Sequence, residues 1–350
     1  MKCPLDTYWD PQHCLYSSTG VAQYEVNGLL FALKQHGISI DEVGEWISQA
    51  TTPFDKIGKD FLHHRYRDEI GAHLKCFAGE CLLLVHALGL FIDVVVKPIP
   101  ELAEALAPHL ECFDLLRLIT DMLSTKSSLI STSLAAAMQE HHVLFLAIYY
   151  QAAKQKLHYC AHIALCIRRF KKVMTCFNAE AKHREAKRVM QTSFKHSTFT
   201  ALSYDLHAMQ AAASRGDTFK PTYLGDKAFT LGYAEAASLW DLFGCNSLKV
   251  SRKLVHKTGT FKSHHMLCWV DCEKRAYIGK ARLFFEMGFA DGIRYFAWVD
   301  GFAEKRCRDG QRKWTEKSGC VFVPAAAIIR AVCFVKMEGY VIADIPLYIR

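Results

Sequence analysis

The chain has 350 residues, 51% of them hydrophobic and 22% charged, which is enough for two domains or three small ones with buried cores and excludes a disordered protein. Its fourteen cysteines sit at irregular spacings, and no apolar signal core follows Met1-Lys2-Cys3-Pro4-Leu5-Asp6; this excludes a small secreted disulfide scaffold and predicts an intracellular, reducing compartment. The net charge of +8 conceals an asymmetry: residues 1–150 carry 10 Lys/Arg against 18 Asp/Glu and residues 151–350 carry 33 against 17, so the second half is the candidate surface for a polyanion or a generally basic surface.

Residues 1–18, with Pro4 and Pro11 as breakers, read as the end of a strand running into a loop. Val21, Tyr24, Leu29, Leu30 and Leu33 then recur near helical spacing, with Gly37 placed as a C-terminal stop, and Ile40–Ala50 repeats the pattern with Asp41 in its first turn. Lys75–Val96, Ile99–Ser124 and Ser127–Lys156 give three long helical segments, so residues 20–156 read as one helical bundle. Within it, the apolar run Cys81–Val96 carries His86 and Asp93 and falls short of the roughly 20 residues of a membrane helix; a buried core helix is expected, and no membrane partner.

Leu157–Phe170 continues apolar, Asn178–Gln191 presents a basic helical face, and Phe199–Ser214 reads as a further helix, followed by a looser stretch to about Ser251. From Thr258 the period changes. Met266–Val270, Ala276–Phe285, Tyr295–Val299 and Cys320–Val323 are short β-branched or aromatic runs between glycines and charged turns, as in a small β-barrel or sandwich. Trp269, Tyr277, Phe284, Phe285 and Trp298 interleave with Arg275, Lys280, Arg282 and Arg294. Such a pattern can stack and neutralise nucleic acid, but more often its aromatics are barrel core.

Two stretches pair an acid with a histidine three residues on: Trp9-Asp10-Pro11-Gln12-His13 and Ala179-Glu180-Ala181-Lys182-His183. Between and beside them lie Gly20, Glu25, the block Leu157-His158-Tyr159-Cys160-Ala161-His162, Arg169-Phe170 and the basic run after Glu180. This order resembles the catalytic core of CACTA-like (En/Spm-type) DDE DNA transposases, whose D-x-M-H motif, long helical insertion, L-H-Y-x-x-H block and later acid followed by K-H occur in that sequence. Gln12 stands where the family has Met, Ala179 where it has an aromatic residue, and Lys171-Lys172 where it has Gly-Pro. The likeness covers about residues 5–215.

The resemblance implies an α+β, mainly helical fold. It comprises a partial ribonuclease-H-like core (1–18 and 157–215), interrupted by a helical insertion (19–156) and followed by a linker (216–250) and a small β-rich C-terminal domain (251–350). It implies a transposase-derived, nuclear protein that binds double-stranded DNA. Asp10 and Glu180 would be the catalytic carboxylates holding Mg²⁺ or Mn²⁺, with His13 and His183 beside them. Oxygen ligands suit those ions, and phosphodiester transfer uses such a pair of metals.

Arg168, Arg169, Lys171, Lys172, Lys182, Arg184, Lys187 and Arg188, eight bases in 21 residues, would contact phosphates; a solvated basic face has the same composition. The family's first catalytic Asp has no counterpart ahead of Asp10. The expectation is therefore an N-terminally truncated relative, inactive as an enzyme alone, acting as a homo-oligomer or with a chain that completes the site. The alternative from another class is a non-catalytic protein- or chromatin-interaction module. In that reading Asp10 is a turn-capping acid before Pro11, and Glu180 is a helix-face charge paired with Arg184. His158, Cys160, His162 and Cys166 also have the residue types of a zinc site, although packed Cys and hydrogen-bonded His are commoner on an apolar helix.

Overall fold

The computed structural model describes residues 9–52, 57–124, 131–170, 222–225, 243–245, 247–256, 259–306 and 312–346. The first helix, α1 (Val21–Gln35), ends as the sequence directs. Gly37 takes a left-handed φ of 87°, its N–H bonds to Lys34 O and the Ile38 N–H reaches back to Leu33 O, a Schellman stop that satisfies the last carbonyls. Two residues later, the Ser39 hydroxyl and the Glu42 carboxylate form a reciprocal capping box that starts α2 (Ile40–Gln49). The bundle continues through α3 (Phe61–Arg65), α4 (Ala78–Phe91), α5 (Pro100–Ala105), α6 (Ala107–Ser124), α7 (Ser131–Ile148) and α8 (Gln155–Phe170). Its core joins Leu29, Leu33, Leu84, Leu88, Phe113 and Phe145, none more than 1% exposed. Each such side chain contributes roughly 1.5–3 kcal/mol through burial. With the π-helical turn Ile92–Val96, α4 makes a 19-residue apolar helix of membrane-spanning length. Two thirds of it (67%) is buried against its neighbours, as in a core helix.

The β part is antiparallel throughout. Its strands are β1 (Thr222–Leu224), β2 (Ser247–Ser251), β3 (Lys253–His256), β4 (Gly259–Lys262), β5 (Met266–Val270), β6 (Ala276–Phe289), β7 (Gly292–Arg306), β8 (Arg312–Pro324), β9 (Ile328–Ala331), β10 (Phe334–Met337) and β11 (Tyr340–Ala343). The large sheet runs β10-β11-β8-β7-β6-β5-β9, with β2 on β6, and β1-β3-β4 form a small second sheet. Register shifts between Ala281 and Leu283, and between Asp300 and Phe302, interrupt the long central pairings, and bulges of this kind bend and coil a sheet.

The fold class is therefore α+β with helix predominating. Three expectations need correction. The β part is a curled half-barrel rather than a closed barrel, since its end strands β9 and β10 do not pair with each other. Residues 12–16 form a π-helical turn instead of the end of a strand, because Pro11 sits at the head of that turn, where its missing N–H costs nothing. Between 9 and 170 the described residues contain no strand, only an isolated bridge at Thr51; most of residues 1–18 and 157–215, expected to form a partial ribonuclease-H-like core, lie outside that stretch or outside the described residues. β1 and β2 arise within or at the end of the stretch expected to be a linker.

Bundle and sheet are joined in two ways. Thr51 and Phe334 exchange backbone hydrogen bonds of 2.8 and 3.0 Å, over a shared apolar contact of Ala50, Leu90, Val335 and Ile342. Beside it lies a buried ionic lock. Arg117 of α6, 1% exposed, donates to Asp93 (2.8 Å), Asp114 (3.1 Å) and, from the C-terminal side, Asp344 (3.0 Å). Arg330 of β9 pairs with Asp344 and Asp121, each at 3.0 Å, and His86 Nδ1 lies 2.8 Å from Asp344 Oδ2. Gly89 makes room: a Cβ there would stand 2.3 Å from Arg117 Nε.

Burial alone would raise the Asp344 carboxyl, but the Arg330 guanidinium, the His86 hydrogen bond and Arg117 overcome it and hold the group well below the usual carboxylate range. A carboxyl depressed in the folded state adds stability above its unfolded pKa of about 4, and that stability is lost as the pH falls toward the folded value. The denaturant midpoint is thus expected to drop as pH is lowered below about 4. The drop should be shallower in Asp344→Asn, which urea titrations across that range would show.

Candidate functional site

Asp10 lies immediately before the π-helical turn Gln12–Tyr16. Its Oδ1 accepts the Gln12 N–H at 3.3 Å, while Oδ2 accepts the His13 N–H at 3.1 Å and lies 2.5 Å from His13 Nδ1. Asp10 is 11% exposed and His13 53%. Both carboxylate oxygens are engaged in starting the turn, a capping role that the Asx-Pro sequence favours. Asp10→Ala is expected to cost about 1 kcal/mol of unfolding free energy in urea denaturation, the usual loss for an N-terminal cap.

The turn packs on α8. Trp9 stacks on Tyr159 with ring centroids 4.2 Å apart and on His162 at 5.7 Å; its N–H donates to Cys166 Sγ, 157 positions away. Lys156 Nζ donates to Ser17 Oγ (3.0 Å) and Ser18 O (2.6 Å). The Cys160 thiol bonds to Cys14, which lowers the Cys14 thiol and, together with burial, raises that of Cys160. The D-x-x-H turn and the L-H-Y-x-x-H block, separated by the whole bundle in sequence, thus share one contact surface.

Toward metals this surface offers little. No cluster of three or more His, Cys, Asp or Glu ligand atoms among the described residues includes Asp10, and its oxygens are already occupied. Glu180, the other expected ligand of Mg²⁺ or Mn²⁺, lies outside the described residues. The residues of the expected zinc site also divide. His158 and His162 bring their Nε2 atoms within 3.1 Å on the open side of α8, while Cys160 and Cys166 are buried, turned to Cys14 and Trp9.

Arg168 and Arg169 occupy the exposed last turn of α8, with the Arg169 guanidinium 5.5 Å from the Phe170 ring. A cation there also complements the helix dipole. Glu180, His183, Lys171, Lys172, Lys182, Arg184, Lys187 and Arg188 lie outside the described residues, and with them the expected approach of the Asp10 and Glu180 carboxylates. In the β part, Trp269, Phe284 and Phe285 are core. Trp298 stacks on Phe322 and lies beneath Arg282.

A second polar constellation escaped the sequence reading. Glu25 of α1, 0% exposed, places Oε2 2.6 Å from Nε2 of buried His141 on α7, and the sulfur of buried Cys112 on α6 completes a set whose ligand atoms all lie within 4.8 Å of one another. Burial and the negative Glu25 carboxylate beside it push the Cys112 thiol up. Tyr149, its hydroxyl 2.8 Å from His109 Nδ1, feels the charge of Glu25 and Cys112 and lines a cavity of about 390 Å³ with Gly28, His36, His109 and Tyr150. The available signal was a charged residue inside the apolar face Val21, Ala22, Val26, Leu29 of α1, which demands a buried partner.

Comparison of the chain with protein-family models, with curated protein sequences and with solved structures gave no match in any of the three.

Proposed function

We propose that the chain is a transposase-derived protein that binds double-stranded DNA and has kept part of a strand-cleavage and transfer site without its activity. The observation that supports this most is the juxtaposition of two motif blocks from opposite ends of the bundle: the Asp10–His13 turn rests on Leu157–His162 through Trp9, Tyr159 and His162. The order of those blocks with Glu180 and the basic run is what resembles CACTA-like transposases, and a partial ribonuclease-H-like core belongs to this reading. Arg168 and Arg169, exposed where α8 leads into that run, place two of the eight bases at the edge of the same surface. Charge of this density neutralises phosphates and supplies affinity without sequence preference.

Catalysis by the chain alone is not part of the proposal. Two-metal chemistry needs several carboxylates held in register, and Asp10 is committed to its turn and to His13. That commitment equally favours the second reading, a non-catalytic protein- or chromatin-interaction module in which the acid-histidine pairs are vestigial. Duplex DNA binding measured against salt concentration separates the two. The first reading predicts binding that weakens steeply with salt, and the second predicts none or a salt-indifferent affinity.

A further inference from the structure

We propose that Glu25, Cys112 and His141 form a buried site for a zinc-class divalent cation, independent of the DNA-binding reading. Three helices, α1, α6 and α7, each contribute one donor, and the three donor atoms lie within 4.8 Å of one another. One carboxylate oxygen, one imidazole nitrogen and one sulfur are the ligand types of zinc sites, whereas Mg²⁺ and Mn²⁺ prefer oxygen alone.

Two further observations point to an ion. Glu25 Oε1 is buried and meets no nitrogen or oxygen donor; the Cys112 thiol hydrogen-bonds to Glu25 and Oε2 of the same carboxylate is bonded to His141, so all three donor groups already face one another. The charges also balance: a divalent ion with carboxylate Glu25, thiolate Cys112 and neutral His141 sums to zero, as a fully buried site requires. On loading, the Cys112 thiol loses its proton to solvent, and the proton on His141 Nε2 that bonds Glu25 is given up as the neutral ring takes the Nδ1–H tautomer, so that Nε2 and the carboxylate become ligands.

Tyr149 lines the cavity of about 390 Å³, and burial, with Glu25 and Cys112 next in effect, raises its phenol strongly; it therefore stands within electrostatic reach of the site. Its ring packs against Gly28, one turn along α1 from Glu25, where a Cβ would sit 2.4 Å from the ring. Three protein ligands leave a fourth position for water or a small ligand, which is the arrangement of a reactive rather than a closed structural zinc site.

The test uses the full chain and Co²⁺ alone as the probe, displaced afterwards by Zn²⁺. The expected result is one equivalent of Co²⁺ with tetrahedral visible bands and a thiolate-to-cobalt charge-transfer band. Cys112→Ser should abolish that band and weaken binding by about 100-fold or more, given that even outer-shell changes cost about 10–100-fold. Cys14→Ser, which alters another buried cysteine, should leave it intact. A folded wild-type chain that gives no charge-transfer band, or an equal band in Cys112→Ser, overturns the assignment. Should Cys112→Ser fail to fold, X-ray absorption of the wild-type chain loaded with one equivalent of Zn²⁺ decides. One sulfur among nitrogen and oxygen ligands is expected, and a shell with no sulfur or with several overturns the site.

Discussion

Arg117→Ala is expected to lower the free energy of unfolding by about 3–5 kcal/mol, the cost of stranding buried charge when one partner is removed. The guanidinium is almost wholly enclosed and bonds three carboxylates, of which Asp93 takes both of its terminal nitrogens and Asp344 arrives from the far end of the chain. Asp114 is partly exposed and can turn to water, and Lys97 already pairs with it at 2.7 Å. Asp344 is 2% exposed and cannot turn to water; it keeps Arg330 and His86 on Oδ2 but loses the donor to Oδ1. The gap left beside Gly89 adds a cavity term. Burial opposes the charge on Arg117, yet Asp93 and Asp344 raise its pKa well above the usual value, so the residue stays cationic at any pH where the fold exists. The same substitution in an Asp344→Asn background should cost at least 1 kcal/mol less, since the coupled pair is then already broken. Urea denaturation of the four chains measures both quantities. A loss below about 1 kcal/mol for the single variant would mean that the lock does not hold bundle to sheet.

The sequence carried local order well and long-range pairing poorly. Gly37 as a stop, Asp41 in the first turn of α2 and the run Met266–Val270 as a strand all rest on turn chemistry and hydrophobic period, which act within a few residues. Pro4 and Pro11 as breakers suggest a strand end running into a loop over residues 1–18, whereas Gln12–Tyr16 is a turn of helix: Pro11 sits at a position that tolerates proline and Asp10 supplies the cap. Periodicity told which faces are buried but not which charges meet there. Arg117 and Asp344 are 227 positions apart and Glu25 and His141 116. No local pattern links such pairs; only the assembled helices do. The curl of the sheet was likewise hidden, because it depends on register shifts and on which strands close the edge. Of the expected site, the structure joins Trp9–His13 to Leu157–His162. The acid-histidine pair at Glu180 and His183 stands outside the described residues.

Under the proposed function, the basic second half of this chain contacts DNA phosphates. A basic surface that neutralises Z phosphates releases their counterions, so the logarithm of affinity falls linearly with the logarithm of salt, with a slope of about −0.9Z on duplex DNA. If most of the eight bases from Arg168 to Arg188 take part, the loss between 50 and 200 mM salt reaches about 10³-fold or more. Replacing Arg168 and Arg169 by Gln should reduce the slope by about 2 while weakening binding to unrelated sequences alike. The direct test is fluorescence anisotropy of a labelled duplex titrated with the full chain over that salt range. A steep linear fall, shallower in the Arg168→Gln/Arg169→Gln chain, is the predicted result. Absence of binding at 50 mM salt, or an affinity that does not change with salt, would contradict the DNA-binding reading and leave the interaction module in its place.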